Sequence, residues 1–430
     1  MIRWLVVGTC LLVAGSVDAR PKPGAELALA DLAWPTTTHS ARALTSAAVL
    51  RSAGQRTRLG KLAVGTRIAW KRIVAASDRC GAYLELEPRG WVCAKDLAPS
   101  DLPPVAATQA DPAQIVDYIL AQTRFGVRPQ GSPAYDSVAA IERGRATKQL
   151  VGWTFLNDTI AAVAVVGGSV FVKTIQGYVA VGNLMARPAS DFEGLPITAS
   201  TSWPFAWAMP DERDARVAVR STPSAKAAQV RELERRAIVN VLETKDRFAR
   251  IGDAEWVAVA ELRIAKSSPR PRGVRADERW LDVDLDQNVL VAYEGDKPVY
   301  ATLVSTGFGS TPTSLHRIVR KVALTRLVSP AVALGTWDVP DAPFWMEFRK
   351  YYAVHGAYWH DSFGKKRGHG CVNVSPRDGR QLFDWTYPQV PVGWQEAEGD
   401  GTPIRIRNRA VPDPPWTDYD TDPPVPIKAP

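Results

Sequence analysis

Histidine and cysteine are scarce in this chain: five histidines and four cysteines serve 430 residues. A dense Lys/Arg block is also missing, although the net charge is +8. Without such a block, and without aromatics interleaved along a basic stripe, nucleic-acid binding is not expected, and the charge reads as spread and well solvated. A basic balance still favours anionic partners. No run reaches the roughly 20 apolar residues of a membrane span. Thr159–Val172 comes nearest, but Gly167-Gly168-Ser169 interrupts it, and a buried hairpin is expected there. No Ser/His/Asp motif is present. The hydrophobic share of 46% and charged share of 23% are those of a globular chain rather than a disordered one. The length accommodates two to four domains.

The amino terminus has a basic start (Met1-Ile2-Arg3), a short apolar run (Trp4–Gly15) and a small residue at the cut point of Val17-Asp18-Ala19. This is the pattern of a cleaved secretory peptide over residues 1–19, so an exported protein is expected. Cys10 follows Thr9 inside the apolar run, a poor fit to a lipidation box. After cleavage Cys80, Cys93 and Cys371 remain, and an odd count leaves one thiol over. Cys80 and Cys93 flank a strand-like stretch and form the natural disulfide pair in an oxidising compartment. The alternative is two buried free cysteines. Cys371 is the thiol left over.

Three segments end alike: Gly90-Trp91-Val92 with Leu97 beyond, Gly177-Tyr178-Val179 with Leu184, and Trp256-Val257 with Leu262. Short alternating strands broken by Gly, Asp or Arg turns precede each. Small five-stranded barrels over 41–100, 133–190 and 212–266 are expected, the middle one looser. Asp111–Thr123 before it is helix-like, with Ile115, Ile119 and Leu120 on one face. Ser267–Arg275 reads as a linker. Beyond it Leu281, Val283 and Leu285 alternate with Asp282, Asp284 and Asp286, as in a half-buried strand ending in a turn. Val289–Tyr293 returns, and Pro298–Ser305 is a third strand. Residues 277–408 therefore form a β-rich unit, and the Pro/Asp-rich stretch 409–430 reads as a disordered tail.

Three of the five histidines, His355, His360 and His369, fall within sixteen residues of Cys371. A cysteine nucleophile acts as its thiolate. A nearby histidine takes the proton, and a third group fixes that imidazole's tautomer. Glycines beside the thiol free backbone N–H groups for a developing oxyanion. Ser375-Pro376-Arg377-Asp378 reads as a helix start, with Leu382 and Phe383 buried beyond it. The spacing of the three histidines and Cys371 is not that of common structural zinc sites, and no metal or other cofactor is expected.

His355-Gly356, Tyr358-Trp359-His360, Phe363-Gly364 and His369-Gly370-Cys371-Val372-Asn373 together resemble the L,D-transpeptidase catalytic domain family (YkuD-like). Ser305-Thr306-Gly307 and Thr311-Pro312-Thr313 are similar to its strand-end and loop. The three upstream endings resemble the last strand of bacterial SH3-like domains. The resemblance implies a mainly β fold: a β-sandwich with a short capping helix, preceded by two or three SH3-like barrels. It also implies an enzyme acting on peptidoglycan stem peptides in the periplasm or cell envelope, with the barrels meeting glycan strands. Cys371 is then the nucleophile, an expected thiolate, with His355 its general base and the Gly356 carbonyl orienting that base. Gly370 supplies an oxyanion N–H, and His369 supports the thiolate or packs the loop. Trp345, Tyr352, Trp359, His360 and Asn373 are candidates for substrate contact. The implied reaction forms 3→3 cross-links through a cysteinyl thioester, releasing terminal D-alanine. The alternatives are an L,D-carboxypeptidase or cross-link endopeptidase using the same acyl-enzyme, and a non-catalytic wall-binding scaffold. Three positions depart from the family pattern: Gly368 replaces Ser or Thr, Asn373 stands where Arg is common, and Thr313-Ser314 lacks a glycine.

Overall fold

A computed structural model of the chain describes residues 21–420, apart from 122–123, 151, 153, 157–161, 175 and 329–337. Cys10 and the expected signal peptide over 1–19 lie outside the described residues.

The chain is mainly β. Its carboxy-terminal unit grows from the expected hairpin, Arg279–Asp284 against Val289–Glu294, with Lys297–Leu303 added as a third strand. Pro403–Arg407 pairs parallel to the first strand, and Ser314–Arg317 closes that edge. A second sheet begins with the long hairpin Arg320–Val328/Asp338–Arg349. Tyr352–Gly356 then pairs antiparallel, and Val372–Val374 pairs parallel beside it. Leu281, Val283 and Leu290 of one sheet meet Met346, Phe348 and Val354 of the other in a single core. The helix Pro376–Trp385 covers this sandwich. Ser375 caps it, its Oγ accepting from the Asp378 N–H at 3.0 Å, and proline opens its first turn. Leu382 and Phe383 are buried beneath it, each contributing about 1.5–3 kcal/mol.

The strand expected to be half-buried is covered on both faces. Asp282 is only 2% exposed. Its carboxylate accepts from Arg405 Nε at 2.7 Å and pairs with Arg407 at 3.0 Å. Trp280 packs in one cluster with Phe205 and Trp207 of the upstream chain. Alternation misleads here because paired arginines make a buried carboxylate affordable and another unit takes the place of water.

Upstream, one topology recurs three times. Ser40–Ala43 pairs with Arg67–Ile68 and Leu97–Ser100. Arg124–Val127 pairs with Phe155–Leu156 and Leu184–Arg187. Phe205–Ala208 pairs with Ile238–Asn240 and Leu262–Ala265. Each aromatic-Val ending is a strand, then a 3-10 turn, then the closing strand. The second and third repeats begin before residues 133 and 212, on strands without alternation. Cys80 and Cys93 form a disulfide.

The first repeat continues directly into the second sheet of the sandwich, because Arg58–Leu62 pairs with Trp394–Glu398. The helix Pro112–Ala121 buries Ile115, Val116 and Ile119 in the sandwich core. The hairpin Ala162–Val166/Ser169–Thr174 forms, but only its second strand is buried, at Phe171 and Val172; Val163 and Val165 on the edge strand are 62% and 68% exposed. The tail expectation is corrected as far as Asp420. Leu315 exchanges backbone hydrogen bonds with Pro415 and Thr417, and Tyr419 Oη donates to Glu347 Oε1 at 2.8 Å. Proline lacks an N–H and suits an extended strap that pairs at few points. Residues 421–430 lie outside the described residues, and among the described residues no helix is long and apolar enough to cross a membrane.

Candidate active site

Strand register sets Cys371 just before the strand that pairs with the His355 strand. His355 lies opposite Asn373 in the parallel pair, and Val354 opposite Val372. Side chains alternate along a strand, so Cys371, two residues before Asn373, falls on the His355 face.

His355 is held from three sides. Its Nδ1 lies 3.0 Å from the Gly356 carbonyl oxygen. A carbonyl only accepts, so Nδ1 carries the proton and Nε2 keeps its lone pair. Trp345 stacks on the ring with centroids 5.5 Å apart, and Trp359 stacks at 5.7 Å. Burial between the indoles lowers the His355 pKa to about 4, against the opposing Gly356 hydrogen bond.

Cys371 is partly exposed. Its Sγ contacts the Tyr351 carbonyl oxygen at 3.7 Å. Burial of the sulfur pushes the thiol up to about 12, and the Glu347 charge adds to this. Burial thus favours the neutral form of each group, against the thiolate expected for Cys371. The sequence reading missed Glu347. Its carboxylate accepts from Tyr419 at 2.8 Å, Arg320 at 2.9 Å and the Trp345 indole at 3.3 Å. An acid inside the apolar stretch Phe344–Phe348 was the available clue.

The loop before Cys371 depends on glycine. Gly368 has φ +113° and Gly370 φ +138°, values that L side chains rarely adopt. A Cβ on Gly370 would stand 2.5 Å from the Tyr352 ring. A Ser or Thr at 368 would be strained in this backbone.

The remaining candidates divide by exposure. Tyr352, His360 and Asn373 are buried, while Trp345 and Trp359 keep partial access. His360 Nδ1 accepts from the Ser362 N–H at 3.1 Å, and Nε2 meets the Asn373 side-chain amide at 3.3 Å. Burial, joined by the Arg367 charge, lowers His360 to about 3. His360 and Asn373 thus satisfy each other beneath the loop. His369 is exposed, and the buried part of its ring lowers its pKa. Among the described residues no three His, Cys, Asp or Glu side chains gather as metal ligands would.

Residues 278–406 match the family model of the L,D-transpeptidase catalytic domain, YkuD. That match lies within the carboxy-terminal unit. No curated protein matches this chain. Among solved structures, the L,D-transpeptidase of Enterococcus faecium is similar at 17% identity over 34% of this chain and 55% of its own, with TM-score 0.25. This chain thus spans about half of that structure's length. An L,D-transpeptidase from Mycobacterium smegmatis is similar at 20% identity over 39% of this chain and 82% of its own, with TM-score 0.24. One from Stackebrandtia nassauensis is similar at 20% over 33% and 60%, also with TM-score 0.24.

Proposed function

We propose that the protein is an exported L,D-transpeptidase of the periplasm or cell envelope. In this reading it joins peptidoglycan stem peptides by 3→3 cross-links through a thioester on Cys371. The observation that carries it is the register that sets Cys371 just before the strand paired with His355, whose Nδ1 contact with the Gly356 carbonyl leaves Nε2 to accept a proton.

The chemistry starts from the neutral form of each group. The donor's third-residue carbonyl settles over Sγ. His355 Nε2 takes the thiol proton as sulfur forms its bond to the carbonyl carbon. Backbone N–H groups around Gly370 and Cys371 hold the oxyanion. The C–N bond to terminal D-alanine then breaks, and the imidazolium returns its proton to the departing amine. The amine of a second stem attacks the thioester and loses a proton to His355, and the thiol is restored. The partial exposure of Cys371 also lets water take the acceptor's place, giving carboxypeptidase activity. The exposed parts of Trp345 and Trp359 would flank the donor peptide.

Muropeptide analysis of purified stem peptides incubated with the full-length protein tests the reading. New 3→3 dimers and free D-alanine are expected. Cys371→Ala should remove both by about three orders of magnitude or more. Cross-linking that survives Cys371→Ala sinks the proposal. Ertapenem, which acylates the Enterococcus faecium catalytic domain, is expected to add its mass to Cys371.

A further inference from the structure

The loop Tyr358–Gly370 leaves the His355 strand and returns at Cys371, with no strand of its own between them. The sandwich holds it through the Gly364 N–H on the Val304 carbonyl at 2.9 Å, the Arg367 N–H on the Thr306 carbonyl at 2.7 Å and Ser305 Oγ on the Ser362 carbonyl at 2.8 Å, and a second set of contacts comes from outside the sandwich. Ser190 Oγ donates to Asp361 Oδ1 at 2.5 Å. Arg236 Nη2 donates to the same oxygen at 2.6 Å, and Arg235 Nη1 to Oδ2 at 2.9 Å. Arg235 Nη2 also donates to the Asp361 carbonyl at 2.5 Å. Both arginines belong to the third β repeat, and Ser190 to the segment leading into it. Burial alone would raise the Asp361 pKa, but the Ser190 hydrogen bond and the Arg236 and Arg235 charges reverse this and lower it. The same repeat grips the loop again where Arg263 Nε donates to the Gly364 carbonyl at 2.5 Å.

Short contacts join this anchor to the site. The Arg236 guanidinium lies 4.3 Å from the Phe192 ring, and Phe192 stacks on Phe363 at 6.3 Å. Phe363 meets His360 at 5.0 Å, and His360 meets Asn373 at 3.3 Å, on the strand that begins beside Cys371. A displacement of about 1 Å in such a loop can cost on the order of 100-fold in rate, because oxyanion donors act only when aimed.

We propose that Asp361 is a positioning residue, through which the third β repeat, by Arg235 and Arg236, holds the Tyr358–Gly370 loop so that its backbone N–H groups face the donor carbonyl. This rests on the acyl-transfer reading above. It predicts that the third repeat serves the rate of acylation rather than thiol reactivity.

The experiment uses the full-length protein, with Cys371 acylation by ertapenem and alkylation by iodoacetamide both followed by mass. Alkylation forms no oxyanion, so it reports the thiol without the loop's donors. For Asp361→Asn and for the Arg235→Ala/Arg236→Ala pair, the limiting acylation rate should fall about 10- to 100-fold. The half-saturating ertapenem concentration should stay within about twofold, because uniform binding is untouched. The pH profile of alkylation should be unchanged, and Arg236→Lys, which keeps the charge, should recover most of the rate. Undiminished acylation in a folded variant overturns the proposal. A parallel loss of acylation and alkylation overturns it as well, since the contact is then merely structural. If the double variant does not fold, Ser190→Ala and the single Arg235→Ala decide the question by the same comparison. A wild-type protein that is alkylated but never acylated overturns the acyl-transfer reading itself, and the positioning role with it.

Discussion

The first and third β repeats share a topology but join the sandwich in opposite ways. The first is attached by main chain: Arg58–Leu62 hydrogen-bonds along Trp394–Glu398, Trp394 fills the repeat's core, and Arg58 and Lys61 pair with Glu396. The third is attached by side chains, with Trp207 and Phe205 against Trp280 and a set of arginines around Asp361. A continued sheet is specified by backbone spacing and is indifferent to most surface substitutions. A side-chain joint can be tuned residue by residue, and this one closes on the loop that precedes the thiol. The same small unit thus serves as an extension of the scaffold in one place and as a grip on the loop before Cys371 in another.

Substitutions that break each joint sharpen this contrast. Trp394→Ala should cost about 3–5 kcal/mol of stability by emptying the first joint's core. The folded fraction should still acylate normally, and slowed acylation per folded molecule would erase the distinction. Asp282→Ala, beneath the third joint, strands Arg405 without its partner and should cost a similar 3–5 kcal/mol in denaturant unfolding. A cost below about 1 kcal/mol would show that Arg405 finds other partners. Gly60→Ala forces a Cβ to within 2.0 Å of the Glu396 carbonyl and should cost about 1–3 kcal/mol, again without changing acylation.

The pH dependence separates the regions further, because the buried histidines all lie in the sandwich. His355 and His316 are lowered to about 4 and His360 to about 3 by burial, from an ordinary 6.5. A depressed pKa means that the unfolded state binds the proton first. The stability these groups supply is complete above pH 6.5 and is lost as the pH falls toward 4. Each contributes a slope of about 1.4 kcal/mol per pH unit within that window. Denaturant midpoints measured from pH 7 to 4.5 should fall accordingly, and a flat profile contradicts the burial argument. The smallest effect expected is Tyr419→Phe, about 1 kcal/mol, from the hydrogen bond that ties the carboxy-terminal strap to Glu347.

Much of the site could be read from residues alone. Cys371 stood out by arithmetic, His355 by its neighbours, and the helix start at Ser375-Pro376 by local capping chemistry that acts over four residues. The three aromatic-Val endings marked the closing strands of the repeats. The errors share one cause. Asp282 was read as a wet position, the hairpin at Val163 and Val165 as a buried one, and residues 409–420 as disordered. In each case a partner distant in sequence, or the lack of one, reversed what local pattern implies. The burial and the Glu347 charge that raise the Cys371 thiol likewise come from other strands.

The candidate reactive groups, the repeated strand–turn–strand endings and the glycines that admit the loop's backbone were written in local sequence, since each depends on covalent geometry and near neighbours. The burial that shifts the pKa values of Cys371 and His355 arises only in the folded chain, because solvation and charge depend on what surrounds a group in space. The attachment of each repeat was decided there too. Arg235 and Arg236 lie more than a hundred residues from Asp361, and nothing in local sequence distinguishes them from ordinary surface cations.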